Sequence, residues 1–221
     1  MAFHTVFVTG ATGYLGRGLA PALVARGHSV RALARPGSAA RVPSGAEIVL
    51  GDALDGASFA AAIAPADTLV HLVGTPHPNP RKAAEFERVD LGSIRASAGV
   101  ARAAGVRHLV YVSVAQPAPV MRAYVAARAR GETAVAESGV PATVLRPWYV
   151  LGPGHRWAYL LWPVYALAER LPGSRASARR LGLVRYPEMI AALVAAVESP
   201  PSAGVRIVEV PEIRRARRGV S

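Results

Sequence analysis

Short apolar runs alternate with amphipathic stretches along most of the chain. The first run is Val6-Phe7-Val8, stopped by Thr9-Gly10. Leu15, Leu19 and Leu23 follow at a spacing of four, which marks one face of a helix, and Gly27 supplies its C-cap. Pro21 falls inside that helix and is expected to remove one of its hydrogen bonds. Strands are expected over 28–34, 47–50 and 68–73, with a helix over 56–64 before the last of these. Residues 74–80 hold three prolines and read as a loop. A long helix is expected over 81–104, ended by Gly105. Residues 109–113 are almost wholly apolar, as a buried parallel strand should be. After a proline-rich link come a helix over 123–137, a strand over 143–145, helices over 157–170 and 187–198, and a strand over 205–210.

Strands that alternate with helices from end to end predict an α/β fold, a Rossmann-like doubly wound parallel sheet. No repeat or linker divides the chain. The expectation is a single domain over 1–221, with 147–204 contributing a small C-terminal substrate lobe and 211–221 forming a tail.

Composition narrows the function classes. Hydrophobic residues make up 52% of the 221 and charged residues 18%, which excludes general disorder. The chain has no cysteine, so disulfide scaffolds, thiolate metal sites and cysteine nucleophiles are excluded. The net charge of +12 opens nucleic acid, an anionic membrane or a phosphate-rich ligand as partners, and it fits the solvated surface of an arginine-rich chain equally well. Of the 26 basic residues 25 are arginine, and Lys82 is the only lysine. The apolar stretch 157–168 is too short to span a bilayer and is broken by Pro163, and residues 1–10 run directly into a strand pattern with no signal-peptide signature. The expectation is a soluble, cytoplasmic protein, with peripheral membrane contact left open.

The chemistry begins at Thr9-Gly10-Ala11-Thr12-Gly13-Tyr14-Leu15-Gly16, where three glycines lie between the first strand and the first helix. Gly10 permits the tight turn, Gly13 lets the backbone approach a pyrophosphate, and Gly16 lets helix and sheet pack closely. The helix start offers free N–H groups and a positive dipole end. Dinucleotide binding is the expectation. The second strand ends Arg31-Ala32-Leu33-Ala34-Arg35, with no acid until Glu47. A carboxylate there would hold the ribose hydroxyls of NAD. Arg35 can instead stack on adenine and pair with a 2′-phosphate, with Arg41 assisting, so NADP(H) is favoured over NAD(H). Asp52 is placed to accept from the adenine amino group.

Taken together, Thr9 to Gly16, Arg31 to Arg35, Gly51-Asp52, Tyr111-Val112-Ser113, Tyr124 with Arg128 and Leu145-Arg146-Pro147 resemble the atypical, extended-like branch of the short-chain dehydrogenase/reductase superfamily. Within it the chain resembles the NAD(P)H-binding group that includes NmrA-like proteins and relatives of the respiratory complex I accessory subunit. The resemblance implies that Gly10, Thr12, Gly13, Tyr14, Leu15, Gly16 and Arg35 line the cofactor phosphates and that Asp52 and Ala53 touch adenine. It places Leu72, Val73 and Gly74 beside the ribose, and Pro147, Trp148 and Tyr149 past the nicotinamide.

In active members of that superfamily a tyrosine transfers the proton, a lysine four residues on holds the ribose, and a serine or threonine bonds the substrate carbonyl. Ser113 and Tyr124 match in place, but position 128 is arginine, which is bulkier, forked and permanently charged. Ser113, Tyr124 and Arg128 are the catalytic candidates. The six histidines show no metal-ligand spacing, and no metal site is expected. All three tryptophans and Tyr149, Tyr159 and Tyr165 fall within 148–165. That stretch reads as a small apolar core, as the lining for a flat or greasy ligand, or as an oligomer or membrane-facing patch. Two functions follow. One is an NADP(H)-dependent oxidoreductase acting on a small or hydrophobic carbonyl or quinone-like substrate. The other is a non-catalytic NADP(H)-binding redox sensor or assembly protein. Nucleic-acid binding is disfavoured, and the oligomeric state is left open.

Overall fold

The computed structural model describes residues 3–153 and 179–216. Seven strands form the main sheet: β1 (Thr5–Thr9), β2 (Ser29–Ala34), β3 (Glu47–Leu50), β4 (Thr68–His71), β5 (His108–Val112), β6 (Ala142–Arg146) and β9 (Val205–Glu209). Their order is β3-β2-β1-β4-β5-β6-β9, and every neighbouring pair is parallel. The doubly wound parallel sheet is therefore as expected. Two short strands, β7 (Tyr149–Leu151) and β8 (Leu183–Arg185), pair separately.

The helices are α1 (Gly16–Ala25), α2 (Ala57–Ala60), α3 (Ala83–Glu85), α4 (Gly92–Ala103), α5 (Arg122–Glu137), α6 (Tyr186–Glu198) and α7 (Val210–Arg215). Successive residues of a strand face opposite sides of the sheet, so each buried strand feeds two cores. Val6, Val8, Val70 and Val110 pack with Leu19 and Leu23 of α1, Met189 and Leu193 of α6 and Ile213 of α7. Phe7, Leu69, Leu109 and Tyr111 pack on the other side with Phe59 of α2, Ile94 and Ala98 of α4 and Val135 of α5. This double burial is why the central strands read as continuous apolar runs.

Two differences from the sequence expectation have physical causes. The helix expected over 81–104 is a 3-10 turn and α3, then a π-helical segment, Phe86–Leu91, and then α4. The wider turn brings Asp90 into the interior. Of the residues expected as a tail, 211–215 continue as α7, because Val210 and Ile213 bury against the core, and 217–221 lie outside the described residues. Pro21 sits within α1 on its exposed face, as the sequence places it. The helix expected over 157–170, His155, Trp157, Tyr159, Trp162 and Tyr165 lie outside the described residues. Among the described residues no helix is long and apolar enough to cross a membrane.

A polar cluster fastens β1 and β4 to α4 inside the second core. His71 is fully buried, and its Nδ1 lies 2.9 Å from Thr9 Oγ1 and 3.0 Å from Ser97 Oγ. Its Nε2 lies 3.1 Å from Ser93 Oγ. Burial, aided by the Arg128 charge, pushes the His71 pKa down to about 3, and burial with Arg206 pushes His108 down to about 4. The folded protein thus holds both rings neutral, whereas the unfolded chain protonates them near 6.5. Between those values the unfolded state binds more protons, so stability falls as pH drops below 6.5. The urea midpoint is expected to be lower at about pH 5 than at about pH 7, and the dependence to be shallower in His108→Asn. Equal slopes in the two proteins would remove His108 from this account.

Candidate active site

The strand order reverses at the β1–β4 boundary, because β2 and β3 extend to one side and β5, β6 and β9 to the other. Connections leaving the C-terminal ends of β1 and β4 diverge there and open a crevice. One wall is the glycine turn after β1, and the other is the segment after β4. The two walls touch: Gly10 has φ +78°, and a Cβ on it would lie 2.9 Å from the Leu72 carbonyl carbon. Gly16 is buried, and a side chain there would run into the backbone of Gly10 and Ala11. Gly13 is exposed, and its N–H closes the turn on Gly10 O at 3.0 Å.

No side chain caps the start of α1. The Arg17 and Gly18 N–H groups donate to Gly13 O and Leu15 O, each at 3.1 Å, and the turn lies at the positive end of the helix dipole. An exposed glycine, an uncapped helix start and a backbone cradle fit a dinucleotide pyrophosphate. Thr12, Tyr14 and Leu15 are half-buried around this turn. Leu72, Val73 and Gly74, also half-buried, form the opposite wall.

The end expected to take adenine is built by β2 and β3. Ala34 is in register with Leu50, and the Gly51 N–H bonds Ala34 O at 3.1 Å, so Arg35 and Asp52 leave adjacent strand ends together. Arg35 is exposed, and its carbonyl accepts from the Ser38 N–H at 2.8 Å and the Ser38 hydroxyl at 3.1 Å. Arg41 is exposed at the end of the same 3-10 turn, Pro36–Arg41. Asp52 Oδ1 accepts from the Leu54 N–H at 3.0 Å, and Ala53 is half-buried beside it.

The other end gathers the catalytic candidates. Ser113 follows β5, and its N–H donates to Leu145 O at 2.8 Å. Its side-chain hydroxyl is buried and has no hydrogen-bond partner. Tyr124 lies in the first turn of α5 with its ring edge-on to Phe86, centroids 5.1 Å apart. Arg128 is one turn further on, and its Cζ is 5.3 Å from the Tyr124 ring centroid and 5.8 Å from that of Tyr111. Its Nη1 donates to Val112 O at 2.9 Å, and its Nη2 is 2.6 Å from Asp90 Oδ1. Asp90 is fully buried, and its Oδ2 accepts from the Thr75 N–H at 3.1 Å and the Thr75 hydroxyl at 2.6 Å. A Cβ at Gly74 would collide with Arg128 Nη2, so glycine is what lets the guanidinium pass. Pro147 is buried and Trp148 half-buried; the Pro147 carbonyl accepts from the Ala115 N–H at 2.9 Å, tying the loops after β5 and β6 together. Lys82, the single lysine, donates to Pro76 O at 2.7 Å.

Two groups of residues were missed in the sequence. Asp90 and Thr75 complete the arginine site. Asp90 carried a signal, because it falls four residues after Phe86 and four before Ile94, an acid at an apolar helical phase. Tyr186, the first residue of α6, had none. Its hydroxyl donates to Tyr14 O at 3.1 Å, and its ring is edge-on to Tyr14 at 4.9 Å. Gly18 and Gly152 leave the space these two tyrosines fill. The glycine turn is thus bolted to the helix that follows β8.

A protein family described as NAD(P)H-binding matches residues 10–157. A ceramide reductase of Caulobacter vibrioides is 31% identical over 95% of this chain, and the chain spans 65% of that protein. A 3-diazoavenalumate denitrifying reductase of a Streptomyces species is 31% identical over 92% of this chain and 75% of its own length. Among solved structures, a short-chain dehydrogenase/reductase superfamily protein of Agrobacterium tumefaciens with bound NAD superposes with a TM-score of 0.68 at 21% identity, covering 93% of this chain and 77% of that one.

Tyr186→Phe keeps the ring and deletes one hydrogen bond to the glycine turn. The expected outcome is a rise of about two- to tenfold in the NADPH dissociation constant, the size of one net hydrogen bond. Titration of NADPH fluorescence checks it, and unchanged affinity would show that the tyrosine only fills space.

Proposed function

We propose, for a chain that belongs to the NAD(P)H-binding family, that it is an NADP(H)-preferring oxidoreductase acting on a small or hydrophobic carbonyl or quinone-like acceptor. The observation that carries this reading is the crevice at the β1–β4 switch point, with the glycine turn at its centre and Tyr124, Arg128 and Ser113 at one end. Two reductases that align with nearly the whole chain support the reaction class.

Arg35 is the residue for the 2′-phosphate. It is exposed at the end of β2, a forked cation where a ribose-binding carboxylate would otherwise stand. Asp52 and Ala53 face the adenine from the end of β3. When bound, the cofactor supplies or accepts the hydride. The protein holds the acceptor and moves the proton. Ser113 offers a hydroxyl that has no hydrogen-bond partner among the described residues, a donor that a substrate carbonyl oxygen would satisfy. Tyr124 gives the proton to that oxygen as general acid. Arg128, paired with Asp90, stands behind Gly74, beside the ribose.

A second reading, a non-catalytic NADP(H)-binding sensor or assembly protein, is favoured by one observation. Arg128 is only 6% exposed, and two of its three nitrogens are already engaged by Asp90 and Val112 O. The two readings part on Tyr124.

Arg35→Asp is expected to weaken NADPH at least about tenfold and to leave NADH no weaker, since one charge-assisted contact to phosphate is exchanged for repulsion. Unchanged preference in fluorescence titrations would refute the 2′-phosphate role, and no binding of either nucleotide at millimolar concentration would overturn the reading as a whole. Tyr124→Phe is expected to lower NADPH oxidation by about 100-fold or more with menadione or an aromatic ketone as acceptor. Equal rates would remove Tyr124 from the chemistry.

A further inference from the structure

Arg128 poses an electrostatic problem that a lysine at the same position would not. It is almost wholly buried between two tyrosine rings, and a guanidinium does not give up its proton. A lone buried cation is costly unless a counter-charge and hydrogen bonds accompany it. Here the counter-charge is Asp90, fully buried at 2.6 Å, and Thr75 holds its other oxygen with two hydrogen bonds.

We propose that Asp90 is the charge-setting and positioning residue of this site: its carboxylate cancels the fixed charge of Arg128 and so determines the electrostatic field at the Tyr124 hydroxyl. This deepens the proposed function, because the field matters for catalysis only if Tyr124 transfers the proton. The pair itself can be tested without substrate or cofactor.

The groups that surround the two tyrosines are few. Arg128 faces both rings from α5, and Asp90 faces Arg128 from the π-helical segment. His71 faces Arg128 from β4, held neutral by burial with its pKa near 3. Other charges on α5 and the elements packed against it are paired, Glu87 with Arg130, Lys82 with Glu85 and Glu132 with Arg146, or exposed, as are Arg81, Arg88, Arg95, Arg102, Arg122 and Glu137. Removing the Asp90 charge therefore leaves one uncompensated buried cation beside Tyr124. A bare cation at that distance favours a phenolate. Tyr111 is next to the same cation, but burial pushes its hydroxyl up.

The test is an ultraviolet titration of tyrosinate in the full-length protein, with circular dichroism at each pH to confirm the fold. In Asp90→Asn, one tyrosine is expected to ionise about one pH unit or more below its position in the parent protein. The early step is expected to vanish in Asp90→Asn/Tyr124→Phe and to persist in Asp90→Asn/Tyr111→Phe. Superimposable curves for Asp90→Asn and the parent would overturn the proposal, as would an early step that belongs to Tyr111. If Asp90→Asn does not fold, Asp90→Asn/Arg128→Met decides. Recovery of the fold when both charges are removed supports a counter-charge role, and failure to recover shows that Asp90 serves the Thr75 loop alone. Where NADPH binds but no acceptor is reduced, the proposed reaction fails while the titration still stands or falls by itself.

Discussion

An arginine that cannot be discharged is buried at the edge of the sheet, and the local architecture follows from that constraint. Arg128 needs a carboxylate within reach, and a regular α-helix through 81–104 does not supply one as the π-helical segment does, which turns Asp90 inward. The carboxylate in turn needs donors, and Thr75 provides its N–H and its hydroxyl. The guanidinium needs a path, and Gly74 leaves it open. Four segments distant in sequence, the exit of β4, the π-helical segment, α5 and the end of β5, are tied together by one charge. A surface ion pair would contribute little. This one is dry, and removing one partner strands the other, so its loss is felt more than its presence stabilises.

The glycine turn obeys a different constraint, close approach of backbone to backbone. Gly10 sits against Leu72 and Gly16 against Gly10 and Ala11, so no side chain could stand at either position without moving β4 or α1. The polar cluster around His71 reinforces the same joint from below, by linking Thr9 of β1 to Ser93 and Ser97 of α4. Tyr186 closes it from above. A turn held on three sides changes little when an anion arrives.

The fold was legible because its signals are local. Apolar runs of strand length, helical spacing and glycines at chain turns each need only a few neighbouring residues, and all seven strands of the main sheet were found within one or two residues of their ends. The phosphate turn was legible for the same reason. The strands β7 and β8 were not, because three residues carry no period. Nor was α7, whose helix depends on Val210 and Ile213 finding the core. At the site, Ser113, Tyr124 and Arg128 could be named by order along the chain, but Asp90, Thr75 and Tyr186 act across long separations. Only Asp90 left a trace, as an acid in an apolar phase.

Seen through the Asp90–Arg128 pair, the loss of the usual lysine does not decide between enzyme and binding protein. A lysine brings a compact charge that can approach a ribose hydroxyl. Arg128 brings a fork, and the fork is divided between Asp90 and the Val112 carbonyl, while Nε has no hydrogen-bond partner. What remains available beside Gly74 is a site whose net charge is close to zero, because the carboxylate is buried with the guanidinium. A nicotinamide bound there would carry positive charge once oxidised, and a neutral site would not oppose that charge as a bare cation would. The substitution of arginine with its own counter-ion is thus compatible with the proposed reductase.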